Sequence, residues 1–379
     1  MMTRRFFTLL FLLSALWSTI QADDWMASLS DEAYLSQLCI PGTHDSCTGE
    51  GWQGLAVLVG ESMGKTQELT IGRQLEAGVR CFDLRPCVNG QSLVINHGML
   101  QTKATFVNVV RQLGQFVADH PTEFVIVIMR HETDGDSNNS GWGGLISAAL
   151  NSSDIRPTLA DYRRDITVGE LRGKVLILSR DSYGDTPRGA YIEGWGHAAD
   201  YVTAAVRGQG NAGVCYIQDF YEVMDNMAEK QRGIRKLLDF SMANVYRRGT
   251  RHFILCINHT SGYTKSASTD GNRDNAAKAN KDLLDYLANT SRKGPTGIVV
   301  TDFAGVDRSG SYDVMGKQVV DAVIAMNSQY EPVKRETNAI EEPDGPSAAP
   351  AAIYDLQGRR CVSASQPGVY IVDGKKRMK

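Results

Sequence analysis

The chain has no surplus of charge of either sign: 40 Lys and Arg stand against 43 Asp and Glu, for a formal net charge of −3. A nucleic-acid partner would leave a basic footprint, so none is expected. Beyond the N-terminal leader no stretch reaches ~18 uninterrupted apolar residues, so no membrane-spanning helix is expected in the mature chain. The seven cysteines show no CxxC spacing, which removes the common zinc-ligand arrangement. With 42% hydrophobic and 22% charged residues the composition is that of an ordinary globular protein, so function has to be argued from sites.

At the N-terminus, Arg4 and Arg5 precede an apolar run from Phe6 to Trp17, and Gln21-Ala22 offers a small residue before Asp23-Asp24. That pattern reads as a signal peptide over residues 1–22: its apolar core is too short to span a bilayer, and a cleavage site follows. No cysteine stands at the cleavage point, which argues against a lipid-anchored mature end. Export puts the cysteines in an oxidising compartment. Cys39, Cys81, Cys215 and Cys256 lie in apolar runs and read as small buried residues. Cys47 and Cys87 each follow a motif residue closely, so a disulfide between them is one option and free thiols the other.

The mature chain alternates strand-like and helix-like runs. Apolar, β-branched segments fall at 36–40, 79–85, 93–96, 124–129, 174–178, 214–218, 251–258 and 297–301. Amphipathic stretches such as 105–119, 222–248, 273–289 and 313–327 lie between most of them. Eight strands separated by helices predict a parallel α/β barrel of the (βα)8, TIM-like kind. The link 86–92 is too short for a helix, so the barrel is expected to be distorted. The barrel domain is predicted over 23–330 and a Pro/Ser/Ala-rich linker over 331–350, with a small β tail over 351–379 in which Asp373-Gly374 marks a hairpin.

Polar residues fall at the C-terminal ends of these strands. His44 and Asp45 follow the first and Asp83 and Arg85 close the second, while His97 follows the third. Arg130 and Glu132 come after the fourth, Arg180 after the fifth, and Asp219 and Tyr221 after the sixth. Asn258 and His259 end the seventh, and Asp302 follows the eighth. In a barrel these ends share one rim, where barrel enzymes keep their active sites. A single polar residue at a strand end is usually only solvated, but so many His, Arg and Asp together suggest chemistry. Two histidines form an acid–base pair near neutral pH, and an Arg between them gives bidentate charge for a phosphoryl oxygen. The combination points to phosphoryl transfer without a metal.

Ile-Pro-Gly-Thr-His44-Asp45-Ser, Phe-Asp83-Leu-Arg85 and Asn-His97-Gly together resemble the catalytic X-type domain of bacterial phosphatidylinositol-specific phospholipase C, from about residue 38 to 326. The resemblance implies a secreted monomer acting on phosphatidylinositol-containing membranes, with cleavage of phosphatidylinositol or glycosyl-phosphatidylinositol anchors to a 1,2-cyclic phosphate. It implies His44 as general base, His97 as general acid and Arg85 on the phosphate. Asp302 would orient His44, Asp45 would support His97, and Asp83 would sit beside Arg85. Arg130, Arg180, Asp219 and Tyr221 would hold the inositol ring, Arg130 standing where the family commonly has Lys. Calcium-dependent relatives carry an acidic residue in place of Arg85, so no metal and no cofactor are expected. The apolar stretch Trp52, Leu55 to Val59 matches a short interfacial helix, while the rim loop 261–272 is polar with Tyr263 its one aromatic. The tail resembles C-terminal sorting segments that Gram-negative bacteria use for export across the outer membrane. Outer-membrane export is therefore expected, or else a periplasmic location.

Three other readings compete. Gly60-Glu-Ser62-Met-Gly64 matches a nucleophile elbow, and Gly60 with Lys65-Thr66 falls one residue short of a phosphate loop. A glycerophosphodiester phosphodiesterase shares the barrel and paired histidines but needs a metal-binding carboxylate where Arg85 stands. A catalytically silent inositol- or glycan-binding module would not need the complete His44/Arg85/His97 set.

Overall fold

Nine short apolar strands close on themselves in the computed structural model. It describes residues 22–184, 188–208, 212–223, 226–246, 253–264 and 269–336, with four short strands of the C-terminal segment. The strands are β1 (Cys39–Thr43), β2 (Cys81–Leu84), β3 (Val125–Met129), β4 (Val175–Ser179), β5 (Ala190–Glu193), β6 (Val202–Gly208), β7 (Gly213–Gln218), β8 (Ile254–His259) and β9 (Gly297–Thr301). They pair in the order β3-β2-β1-β9-β8-β7-β6-β5-β4, and β4 pairs back to β3. Eight run parallel; β6 alone is antiparallel to both neighbours. The helices are α1 (Ala56–Met63), α2 (Ile71–Glu76), α3 (Phe106–Asp119), α4 (Trp142–Leu150), α5 (Val168–Leu171), α6 (Met227–Met242), α7 (Gly271–Asn289) and α8 (Gly316–Met326).

Alternation along the strands builds two layers. Val-Ile-Val-Ile-Met in β3 and Val-Leu-Ile-Leu-Ser in β4 are buried throughout, as strands covered on both faces must be. Ile40, Cys81, Ile126, Leu176, Cys215, Ile257 and Ile298 fill the barrel interior. The alternate residues Phe82, Leu84, Val125, Val127 and Val175 pack outward with Val109, Val110 and Leu113 of α3. On the opposite side Cys39 and Val299 meet Ile234, Leu238, Leu283, Val319 and Val323 of α6, α7 and α8.

The expected eight-strand plan holds for seven strands and fails for one. Residues 93–96 are not in the barrel. They lie in a separate antiparallel sheet of Pro86–Asn89, Ser92–His97 and Leu100–Thr105. The two-residue link at Gly90, with φ 63°, allows only an antiparallel return, whereas a parallel neighbour needs a crossover of a dozen residues. The ring is completed instead by β5 and β6. Their short links force β6 to run backwards, and its inward Ala204 carries too little apolar bulk to mark a core strand. Cys47 and Cys87 are free buried thiols, as are Cys39, Cys81, Cys215 and Cys256, so the 47–87 disulfide is not formed.

The chain divides into two compact units, Met1–Arg335 and Glu336–Lys379. In the second, four antiparallel strands order as Arg360–Cys361, Ile353–Tyr354, Val369–Val372 and Lys375–Met378. Val372 pairs with Lys375 across the expected 373–374 turn. The leader to residue 21 and most of the expected linker, 337–350, lie outside the described residues. Among the described residues no helix is long and apolar enough to cross a membrane.

Below the barrel, Arg80 and Glu123 form a fully buried ion pair, Nε to Oε2 at 2.8 Å. Arg80 also donates to the carbonyls of Leu75 and Val79, and Glu123 accepts from the Met26 amide. Removing one partner strands a buried charge. Glu123→Ala is expected to cost roughly 3–5 kcal/mol in urea unfolding. The exposed Arg73–Glu76 pair is a control, and Arg73→Ala should cost ~1 kcal/mol or less.

Candidate active site

Most of the parallel strands deliver a polar side chain to the site at their C-terminal ends. His44 and Asp45 leave β1, Asp83 lies within β2 and Arg85 one residue past it. Arg180 follows β4, Asp219 follows β7, His259 closes β8 and Asp302 follows β9. His97 comes from elsewhere, at the end of Ser92–His97 in the antiparallel sheet. Local backbone aims two of these groups: Asp45 is left-handed at φ 41°, and Phe303, directly after Asp302, at φ 58°. Asp tolerates that region better than most residues, and such conformations concentrate at functional sites.

Arg85 is the hub. Its Nε lies 3.0 Å from Asp45 Oδ1 and 3.1 Å from Asp83 Oδ2, and Nη2 donates to Asp83 Oδ2 at 3.0 Å. Nη2 also reaches His44 Nε2 at 2.7 Å, while Nη1 faces Glu132 at 3.6 Å. All of these carboxylates are buried. Burial alone would raise Asp83, but the guanidinium beside it more than offsets this and holds the carboxyl well below its usual range. Burial would likewise lower Arg85, and Asp45, Asp83 and Glu132 raise it instead.

Since a guanidinium only donates, His44 Nε2 must present a lone pair, and its proton sits on Nδ1 facing Asp302 Oδ1 at 2.9 Å. Burial lowers His44 to about 4 and raises Asp302 to about 8. The imidazole is therefore neutral near pH 7 and able to accept a proton. His97 is held the other way round: its Nδ1 donates to the Gly64 carbonyl at 2.7 Å, leaving Nε2 toward the cavity. One oxygen, Asp45 Oδ2, stands 3.2 Å from His44 Nε2 and 3.4 Å from His97 Nε2. The two rings face each other edge-on with centroids 6.2 Å apart.

A cavity opens above this group, lined by His44, Arg85, His97, Arg130, Arg180 and Tyr221, with Asp219 and His197 on the same wall. Arg180 lies over Trp195, its guanidinium carbon 4.2 Å from the ring centroid, and Asp219 Oδ2 accepts from Trp195 Nε1 at 2.8 Å. Burial would raise Asp219, but His259, His197 and Arg180 pull it well below its normal range. Arg130 is partly exposed, with Glu132 at 3.9 Å. His44, Arg85, His97, Arg130, Arg180, Asp219 and Tyr221 thus share one cavity, with Asp45, Asp83 and Asp302 bonded directly beneath it.

Sequence reasoning passed over several others. Gln67 donates to the carbonyls of His44 and Thr301, tying the ends of β1 and β9 together. Buried Lys230 on α6 clasps the Phe220 and Ser261 carbonyls, each at 2.8 Å. His197 sits 3.1 Å from Asp219 Oδ2. None of the three stands at a strand end or in a motif. The decoys resolve as ordinary structure. Ser62 is on α1, its hydroxyl donating to the Val59 carbonyl, and Lys65 is held by Glu61 and Glu68. His44, Asp45 and Asp83 have donor atoms within 4.8 Å of one another, close enough to suggest a cation site. The Arg85 guanidinium already bonds both carboxylates and His44, so a cation would have to displace it or sit against it.

Residues 55–181 match the family model for the phosphatidylinositol-specific phospholipase C X domain. The X-domain segment supplies Asp83, Arg85, His97, Arg130 and Arg180, while His44 and Asp45 precede it and Asp219, Tyr221 and Asp302 follow it. A 1-phosphatidylinositol phosphodiesterase of Staphylococcus aureus is 24% identical over 325 residues, covering 79% of this chain and 94% of its own. A solved S. aureus phosphatidylinositol-specific phospholipase C superposes with a TM-score of 0.66 at 20% identity, over 80% of this chain and 97% of its own. The Listeria monocytogenes enzyme gives 0.62 at 24% identity, over 81% and 99%. At these identities the structural likeness shows the fold alone: a distorted, TIM-like barrel.

His44 and His259 are both neutral when folded, burial lowering His259 to about 3. In the unfolded chain both return to about 6.5. The unfolded state then binds more protons between those values, so these groups make stability rise with pH across that window. The urea midpoint is expected to fall as pH drops from 6.5 toward 4, and His259→Gln should flatten the slope. An unchanged slope would contradict the assigned neutrality of His259.

Proposed function

We propose that this chain is a metal-independent phosphatidylinositol-specific phospholipase C, releasing diacylglycerol and inositol 1,2-cyclic phosphate. The observation that carries the reading is the placement of His44 Nε2 and His97 Nε2 on either side of one Asp45 oxygen, with Arg85 bonded beneath. His44 Nε2 takes the proton of the inositol 2-hydroxyl. That oxygen attacks phosphorus, an internal nucleophile with a high effective molarity. The bond to the diacylglycerol oxygen breaks, and His97 Nε2 delivers a proton to it. Asp302 Oδ1 accepts the His44 Nδ1–H and so holds the ring and its tautomer. Arg85 Nη1, least engaged of its nitrogens, faces the phosphoryl oxygens and stabilises the developing charge. Arg180, Asp219 and Tyr221 hold the inositol ring, with Arg130 at the mouth. The S. aureus relative, matched over nearly its whole length, is named for phosphodiester cleavage of phosphatidylinositol, which supports this reading.

Lipid access is assigned to α1. Leu55, Leu58 and Met63 are 84%, 80% and 60% exposed, and Met99 on the adjacent sheet is 80% exposed. So much contiguous apolar surface beside a cavity marks a docking face. The leader over 1–22 would export the chain, and the small sheet of the C-terminal unit supports a sorting role for residues 351–379.

His44→Ala and His97→Ala are each expected to lower phosphatidylinositol turnover by ~100- to 10,000-fold with the fold intact, and Ser62→Ala to leave it unchanged. Loss of activity in Ser62→Ala with retention in His97→Ala would overturn the reading. Leu58→Ser should weaken sedimentation with vesicles by roughly tenfold, the value of burying one large apolar side chain.

A further inference from the structure

Asp302, the acceptor behind His44, is a buried carboxyl with no guanidinium of its own. Arg85 is taken by Asp45 and Asp83, and among the described residues no arginine or lysine pairs directly with Asp302. Two N–H donors meet it instead: His44 Nδ1 lies 2.9 Å from Oδ1, and the Gly262 amide 3.4 Å from Oδ2. One donor on each oxygen suits a carboxylate and leaves no place for an acid proton. The Gly262 amide belongs to the peptide unit whose carbonyl, on Ser261, accepts from Lys230 Nζ at 2.8 Å. A continuous chain of hydrogen bonds thus runs from α6 to the base: Lys230 Nζ, the 261–262 peptide, Asp302, His44. Its middle link needs glycine. A Cβ on Gly262 would come within 2.9 Å of the Tyr221 carbonyl, which already accepts from the Tyr263 amide.

Packing alone does not call for a lysine on this face of α6. Lys230 is wholly buried beside Ile234, and an apolar side chain there would avoid the desolvation of a charge. Burial lowers Lys230 to about 7, against the pull of Asp219 and Asp302. Burial raises Asp302, and the Gly262 amide, His97, Lys230 and Arg85 oppose it. Lysine and carboxyl each favour the charged form of the other.

We propose that Lys230 is a positioning residue for the general base: by orienting and polarising the 261–262 peptide it holds Asp302 as a charged acceptor for the His44 Nδ1–H. Arg85 decides which nitrogen of His44 carries the proton. Lys230 decides how strongly that proton is held, and so how readily the opposite nitrogen takes another. Its second bond, to the Phe220 carbonyl at 2.8 Å, fixes the backbone between Asp219 and Tyr221 in the same stroke. The charged and titratable groups facing the chain are His44 and Arg85 at the ends of β1 and β2 and His97 from the antiparallel sheet, with Asp219 after β7 and His259 closing β8. The catalytic meaning of the relay rests on the proposed phospholipase reaction; the relay itself does not.

The test uses the full chain. Lys230→Met should lower kcat on phosphatidylinositol about tenfold at pH 7, by moving the acid limb of the kcat profile up about one pH unit. Toward alkaline pH the variant should approach wild type, because Asp302 is then ionised in both and the wild-type lysine has lost its charge. A site merely loosened by the substitution would lose the same fraction at every pH. Introduced into Asp302→Asn, Lys230→Met should cost no further kcat, since both changes break one chain. A separate measurement leaves position 230 untouched. In 15N-lysine NMR the nitrogen of Lys230 should titrate near 7, well below the ordinary 10.5, and Asp302→Asn should move it lower still. That arm decides the matter if Lys230→Met does not fold. An unchanged kcat, a loss independent of pH, additive losses in the double variant, or a lysine that Asp302→Asn leaves in place would overturn the proposal. A lysine that moves in a protein turning over no phosphatidylinositol would uphold the relay and sink the phospholipase reading instead.

Discussion

Everything at the rim is arranged around the charge of Arg85. A buried guanidinium must be paired, and a buried carboxylate must be paired as well, so Arg85, Asp83 and Asp45 are stable inside the barrel only together. That requirement has further consequences. Satisfying Arg85 pulls Asp45 into its left-handed turn, which places Asp45 Oδ2 between the two imidazoles. The donor at Nη2 forces the lone pair of His44 outward and its proton toward Asp302. The tautomer that a general base needs is thus a by-product of charge pairing, with no separate device to maintain it.

The same pairing separates this site from its nearest chemical rivals. The donor atoms of His44, Asp45 and Asp83 lie close enough to hold a cation, and with an acidic residue at position 85 the cluster would be a reasonable hard-metal site. With Arg there, a fixed positive charge already occupies that role, carried by a side chain that cannot lose its proton. Beyond the hub, Arg180 against Trp195 and Asp219 between His197 and His259 form a second polar wall.

The sequence showed the rim more clearly than the walls. Parallel strands buried on both faces announce themselves as apolar runs, so the residues just beyond them, from His44 to Asp302, could be read off in order. The reversed strand β6 escaped because Ala204 gives it little bulk, and because its direction depends on link length more than on pattern. His97 was recognised from its motif but placed wrongly, on a barrel strand, when a hairpin sheet carries it. Gln67, Lys230 and His197 were invisible for a common reason. Each acts through long-range contacts to backbone carbonyls or to a single carboxylate, and such contacts leave no periodic trace in the chain.

The identity of the first phosphorus-containing product distinguishes the cyclising reaction from its rivals most directly. Phosphatidylinositol in mixed micelles, treated with the purified chain in excess EDTA and followed by 31P NMR, should give the downfield resonance of a five-membered inositol 1,2-cyclic phosphate before any monoester appears. A rate abolished by EDTA and restored by a divalent cation, or a first product that is an acyclic glycerophosphate, would contradict it.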